Sequence, residues 1–223
     1  MRAQQKRRLA FLGGFAGYFI VLWLFWPSIW VYPLKIFVVF LHELSHAIAG
    51  IATGGTVQRI VLDPYEGGAT YVRGGNAFVL LSAGYLGSLL WGLALLLVAR
   101  TQPRIARHVI LALAIVFLVV SALFVRNIFG FLFGLFFGLA LLIAARKLPN
   151  GGIIVLLTTL GLTSALYAVF DIRDDILNRP DAASDAHMLS QMTGIPTVAW
   201  GFFWGGLALL FCFLVGKRLY QKA

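Results

Sequence analysis

The chain has 223 residues, 61% of them hydrophobic and 12% charged, and its mean hydropathy is +0.91. That composition excludes an ordinary soluble domain and indicates a polytopic membrane protein, with length for a single domain over residues 1–223 and little else. The net charge of +10 raises nucleic acid as a partner. However, the basic residues gather at the ends of apolar runs (Lys6-Arg7-Arg8, Arg104 and Arg107, Arg146-Lys147, Lys217-Arg218), where they meet lipid headgroups, so the partner read here is the bilayer and no nucleic acid.

In chain order the sequence predicts seven apolar segments, at roughly 9–30, 34–53, 77–99, 108–125, 128–145, 152–170 and 196–215. The first follows a basic stretch as a secretory signal would, but it is too long for a signal core and no small-x-small cleavage site follows. It reads as a retained span. Arg126-Asn127 interrupts the fourth and fifth segments, which form either a tight helical hairpin or a span beside a re-entrant segment. The expected fold is therefore an all-α polytopic membrane protein of six to seven transmembrane helices.

Two stretches are not spans. Residues 54–76 carry glycine pairs at both ends, a Pro-Tyr-Glu-Gly-Gly turn and β-type flanks, which predicts a short β-hairpin. Residues 171–195 hold five of the eight acidic residues, Asp171, Asp174, Asp175, Asp181 and Asp185, and read as the largest polar loop. Gly130-x3-Gly134-x3-Gly138 predicts close helix packing, with no oligomer implied. The oligomeric state is left open. Counting Lys and Arg does not orient the chain, because seven spans put nine on each side. The lone Cys212 rules out an intrachain disulfide and any cysteine-based metal site.

One pattern carries chemistry. His42-Glu43-Leu44-Ser45-His46 lies inside the second apolar segment. On a helix, imidazoles four residues apart share a face and can reach one metal ion, while Glu43 stands where a carboxylate can take a proton from metal-bound water. An ionisable residue at mid-membrane costs roughly 2.5–3.5 kcal/mol on insertion scales, so such residues face cavities and carry function.

A catalytic zinc wants three protein ligands and an open position. His108 sits beside Arg104 and Arg107 at a membrane surface, and His187 lies out in the polar loop. The acidic cluster is the better source. Four crossings separate the hairpin from the loop that follows the sixth segment, so both emerge on the side nearer His46. Asp171, innermost of the cluster, is the expected third ligand; Asp174 and Asp175 remain as alternative ligands or supports of the ligands.

At these residues the chain resembles the site-2 protease family of intramembrane zinc metalloproteases, closest to a compact bacterial-type branch without a PDZ insertion. The resemblance lies in FLHELSHAIAG at 40–50, GGTVQRIVLDPYEGGATYVRGG at 54–75, LSAGYLGS at 81–88, ALYAVFDIRDD at 165–175 and SDA at 184–186. It implies a single transmembrane metalloprotease domain in a bacterial cytoplasmic membrane. It also implies a Zn2+ ion held by His42, His46 and a later aspartate, with Glu43 as general base. The family's Leu-Asp-Gly pattern is absent, and DIRDD stands in its place. Asn127 is the candidate for the family's substrate-orienting asparagine.

The implied activity is hydrolysis of peptide bonds in or near transmembrane segments of substrate proteins. A substrate helix must unwind before its carbonyls can be attacked, and the hairpin at 54–76 offers either an edge for the unwound strand or a plain linker. Two other classes are compatible with buried His and Asp: a catalytically silent client-binding protein of the same fold, and a metal-ion transporter. The transporter would repeat its ligands in both halves.

Overall fold

The structure is a computed structural model that describes residues 3–173 and 184–222, some of them near helix ends as backbone only. In chain order it comprises α1 (Ala3–Phe25), α2 (Tyr32–Ala52), β1 (Thr56–Leu62), β2 (Gly68–Arg73), α3 (Ala77–Val98), α4 (Pro103–Leu123), α5 (Ile128–Lys147), α6 (Asn150–Arg173), α7 (Asp185–Thr193) and α8 (Thr197–Lys222). Among the described residues, six helices (α2–α6 and α8) are long and apolar enough to cross a bilayer. The chain is an integral, multi-pass membrane protein. The expected helix count and the hairpin both hold. The fourth and fifth segments form two separate helices, α4 and α5, each long and apolar enough to cross a bilayer.

The helix α2 starts with Pro33 in its first turn and runs through the bundle with fourteen buried positions. Its phenylalanines lock it to the α4–α5 hairpin. The Phe40 ring stacks on Phe117 at 3.9 Å, and Phe37 stacks on Phe117 and Phe137 at 5.7 and 5.4 Å. On its other side lie α3 and α6, which approach closely because neither has a side chain where they cross. A Cβ on Gly92 would sit 2.7 Å from the Gly161 carbonyl oxygen. The α5 glycines do the same work within the hairpin, with Gly138 against Leu118 and Gly134 against Ser121.

The chain leaves α2 through Gly54, whose φ of +84° suits a residue without a Cβ. It then forms the antiparallel pair β1–β2, in register from Thr56↔Arg73 to Leu62↔Gly68 with an irregularity at Gln58. The far edge of β1 is also taken. The Ile60 amide donates to the Phe124 carbonyl at 2.8 Å and the Ile60 carbonyl accepts from Arg126 at 3.0 Å, a bridge onto the α4–α5 connection. Its tip is fastened to the start of α2: Tyr32 donates to the Pro64 carbonyl at 2.8 Å, and buried Lys35 pairs with Glu66 at 2.9 Å.

The stretch expected to be a polar loop at 171–195 contains a helix. Ser184 caps the start of α7 by accepting from the His187 amide, and Gly194 ends it at φ +73°. Ala186 and Leu189 are buried with Leu81, Tyr85, Trp200 and Trp204, so α7 is packed against α3 and α8.

Candidate metal centre

Helical geometry brings the two imidazoles together as the spacing predicts, with ring centroids 4.7 Å apart. The liganding atoms of His42, Glu43 and His46 lie within 4.8 Å of one another. The His46 Nδ1 is 2.7 Å from the Leu80 carbonyl oxygen. A backbone carbonyl only accepts, so Nδ1 carries the hydrogen and a neutral His46 presents a bare lone pair at Nε2.

That lone pair faces a carboxylate. Asp185 Oδ2 lies 3.2 Å from His46 Nε2 and 3.0 Å from His42 Nε2. Two acceptor atoms at such distance repel unless positive charge stands between them. Either a proton or a metal cation satisfies the arrangement, and two imidazole nitrogens with one carboxylate oxygen are the donor set of a catalytic zinc site. The same demand shows in the Asp185 carboxyl. Burial alone would raise its pKa, but the neighbouring His46 and hydrogen bonds with His42 and His46 hold it well below the usual carboxylate range.

Among the described side chains, the acid brought to the histidines is Asp185. Asp171 lies in the last turn of α6, with its side chain outside the description, and Asp174 and Asp175 lie outside the described residues. This carboxylate comes from the first turn of α7, where Asp185 and Leu189, four residues apart, share the face turned toward α3. The sequence does hold a signal for this: Ser184 as cap, Asp185, Ala186 and Leu189 on one side, and Gly194 as stop.

Glu43 is buried, with only 3% of its surface exposed. The Thr70 hydroxyl on β2 is 2.7 Å from its Oε2 and 3.0 Å from its main-chain carbonyl. On the α3 side, Gly84 lies flush against His42 and Asp185. A Cβ there would stand 2.5 Å from Asp185 Oδ2 and closer still to His42 Nε2. A cavity of about 440 Å3 opens over these groups, lined by His42, Glu43, His46 and Asp185, by Gly67 to Tyr71 of the hairpin, and by Tyr85, Tyr167 and Met188.

Asn127 does not line that cavity. Its amide is committed to β1: Oδ1 accepts from the Leu62 N–H at 3.1 Å and Nδ2 donates to the Leu62 carbonyl at 2.7 Å. It ties the α4–α5 connection to the hairpin. His108 bonds its own helix, through the Arg104 carbonyl, and His187 faces Gln191. The structure joins neither to the metal ligands.

A family model described as Peptidase M50B-like matches residues 15–215. The chain belongs to the Peptidase M50B-like family. Members are site-2-type membrane metallopeptidases, and the His42–Glu43–His46 cluster lies within the matched region. No curated protein and no solved structure matches the chain. As a Peptidase M50B-like protein the chain is a membrane-embedded protease of the metallo type, and its His-Glu-His group could hold a metal ion.

Proposed function

We propose that this chain is a zinc endopeptidase that hydrolyses peptide bonds in or beside transmembrane segments of substrate proteins. The observation that carries the reading is the convergence of His42 Nε2, His46 Nε2 and Asp185 Oδ2, with Glu43 beside them at the cavity. His42, His46 and Asp185 would hold the ion. A zinc ion held there supplies Lewis acidity, polarising a carbonyl and lowering the pKa of water from 15.7 to about 7.

The remaining work falls to the chain's own residues. The Leu80 carbonyl fixes the His46 tautomer and ring orientation. Glu43 takes the proton from the attacking water and returns it to the leaving amine, a role that contributes about 10²- to 10⁴-fold. The apolar walls around α2 limit water to the cavity. A substrate segment has to be extended before its carbonyl can be reached, and β2 is the suitable partner. Among the described residues β2 pairs only with β1, while β1 is occupied on both edges. An unwound segment added to β2 would run past Gly68 and Thr70, directly beside Glu43.

The test is Glu43→Gln in the full-length chain, purified in detergent and given a quenched-fluorescent single-span model peptide with a Gly-Asn break at its centre. Expected is loss of cleavage by at least about a hundredfold with zinc content unchanged. Cleavage at the unmodified rate would overturn the assignment.

A further inference from the structure

The hairpin does more than stand beside the general base; its second strand determines where that base points. Gly68 and Thr70 are alternate residues of β2 and so face the same way. Both face Glu43. Thr70 brings a hydroxyl to Oε2 at 2.7 Å. At Gly68 the backbone passes so close that a Cβ would lie 2.6 Å from Oε1, 2.7 Å from Cγ and 2.9 Å from Cδ. Through those last two atoms the side chain carries its carboxylate oxygens, so it cannot swing aside without leaving its hydrogen bond to Thr70.

These contacts make the two carboxylate oxygens unequal. Oε2 is bonded by Thr70, while Oε1 lies against the Gly68 backbone. A carboxylate attached to a helix through flexible torsions would otherwise sample several orientations, and a base is effective only when its accepting oxygen is within hydrogen-bond reach of the proton. We propose that Thr70 is a positioning residue for Glu43. Its hydroxyl at Oε2, with the Gly68 backbone against the rest of the side chain, holds the carboxylate in the one orientation from which it receives the proton.

This rests on the metalloprotease reading above, in which Glu43 is the base. It adds that the strand expected to receive the substrate also aims that base, so substrate pairing and proton transfer share one element. The inference assigns no contact between the Thr70 side chain and the substrate, whose pairing with β2 is through main-chain groups. Its signature is therefore a lowered rate constant and not weakened binding.

The experiment compares Thr70→Val and Thr70→Ser in the full-length chain, with zinc content measured and kcat and KM determined on the same model peptide. Valine keeps the shape and removes the hydroxyl. Expected for Thr70→Val is a fall in kcat of about ten- to a hundredfold, as for loss of a hydrogen bond to a charged group, with KM and zinc content unchanged. Thr70→Ser is expected to recover most of the lost kcat. A zinc-loaded Thr70→Val with unmodified kcat, or one altered in KM alone, overturns the inference. If Thr70→Val fails to accumulate in the membrane, Gly68→Ala reads the same geometry: a lowered kcat at full zinc content supports it, and an unchanged kcat overturns it. Glu43→Gln serves as the reference. If it cleaves normally, the protease reading fails as a whole; if it is inactive while Thr70→Val is not, only the positioning role fails.

Discussion

Helices α2 and α5 are of similar length, and α5 is the more apolar, yet α2 is 78% buried over its spanning window and α5 only 28%. In a water-soluble protein the order would be reversed. In lipid, burial of apolar surface gives helices little reason to associate, so an apolar helix is content at the rim while one that carries ionisable groups must be enclosed by protein. α2 carries Lys35, His42, Glu43 and His46, and each has a protein partner: Lys35 has Glu66, the histidines have Asp185, and Glu43 has Thr70. The buried helix is buried because of what it must do.

If that contrast is right, changes around the α2 polar groups are costly and changes on α5's outer face are nearly silent. The largest effect is expected at Asp185. Asp185→Ala removes the only described carboxylate that meets both imidazoles, and metal affinity measured against a fluorescent chelator should fall by more than about a hundredfold, beyond the range for loss of a supporting hydrogen bond. Asp171→Ala, assayed in parallel, should keep its metal. The reverse outcome would return the third ligand to α6.

A smaller effect is expected on the α3 side. Gly84→Ala puts a methyl group into the space of His42 Nε2 and Asp185 Oδ2. Overpacking of this kind costs about 1–3 kcal/mol, so the displaced ligands should lower zinc affinity about tenfold or more and thermal stability in detergent should fall by a few degrees, about 2–4 °C per kcal/mol. Normal zinc binding in Gly84→Ala would mean that α3 stands farther from the metal ligands than described. The smallest effect is expected at Phe136, 64% exposed on α5. Phe136→Leu should leave cleavage unchanged and stability within about 0.5 kcal/mol; a large loss at that position would mean that the outer face of α5 is covered by protein.

The parts of the site readable in advance were those governed by short-range geometry. Two histidines four residues apart meet on any α-helix, so His42 and His46 could be paired without knowing the fold. The hairpin announced itself through glycine pairs and a turn sequence for the same reason. Asp185 could not be found that way, because 143 residues separate it from His42 and five aspartates compete in one stretch. The depth of a residue relative to a span end was a poor guide once α7 formed within the supposed loop and presented its first turn to the histidines. The partner of Asn127 was hidden for a related reason: a polar residue between two spans can reach many segments, and only the fold shows its hydrogen bonds to Leu62.

Sequence alone thus determined a membrane-spanning helical chain with a metal-type pair of imidazoles and an adjacent carboxylate on one helix, since composition and a 3.6-residue repeat act locally and need no partner. Tertiary structure decided which acid meets that pair, which strand touches the base, and which helix faces lipid. Those outcomes depend on contacts between segments far apart in the chain, and such contacts are chosen by the packing of the whole bundle.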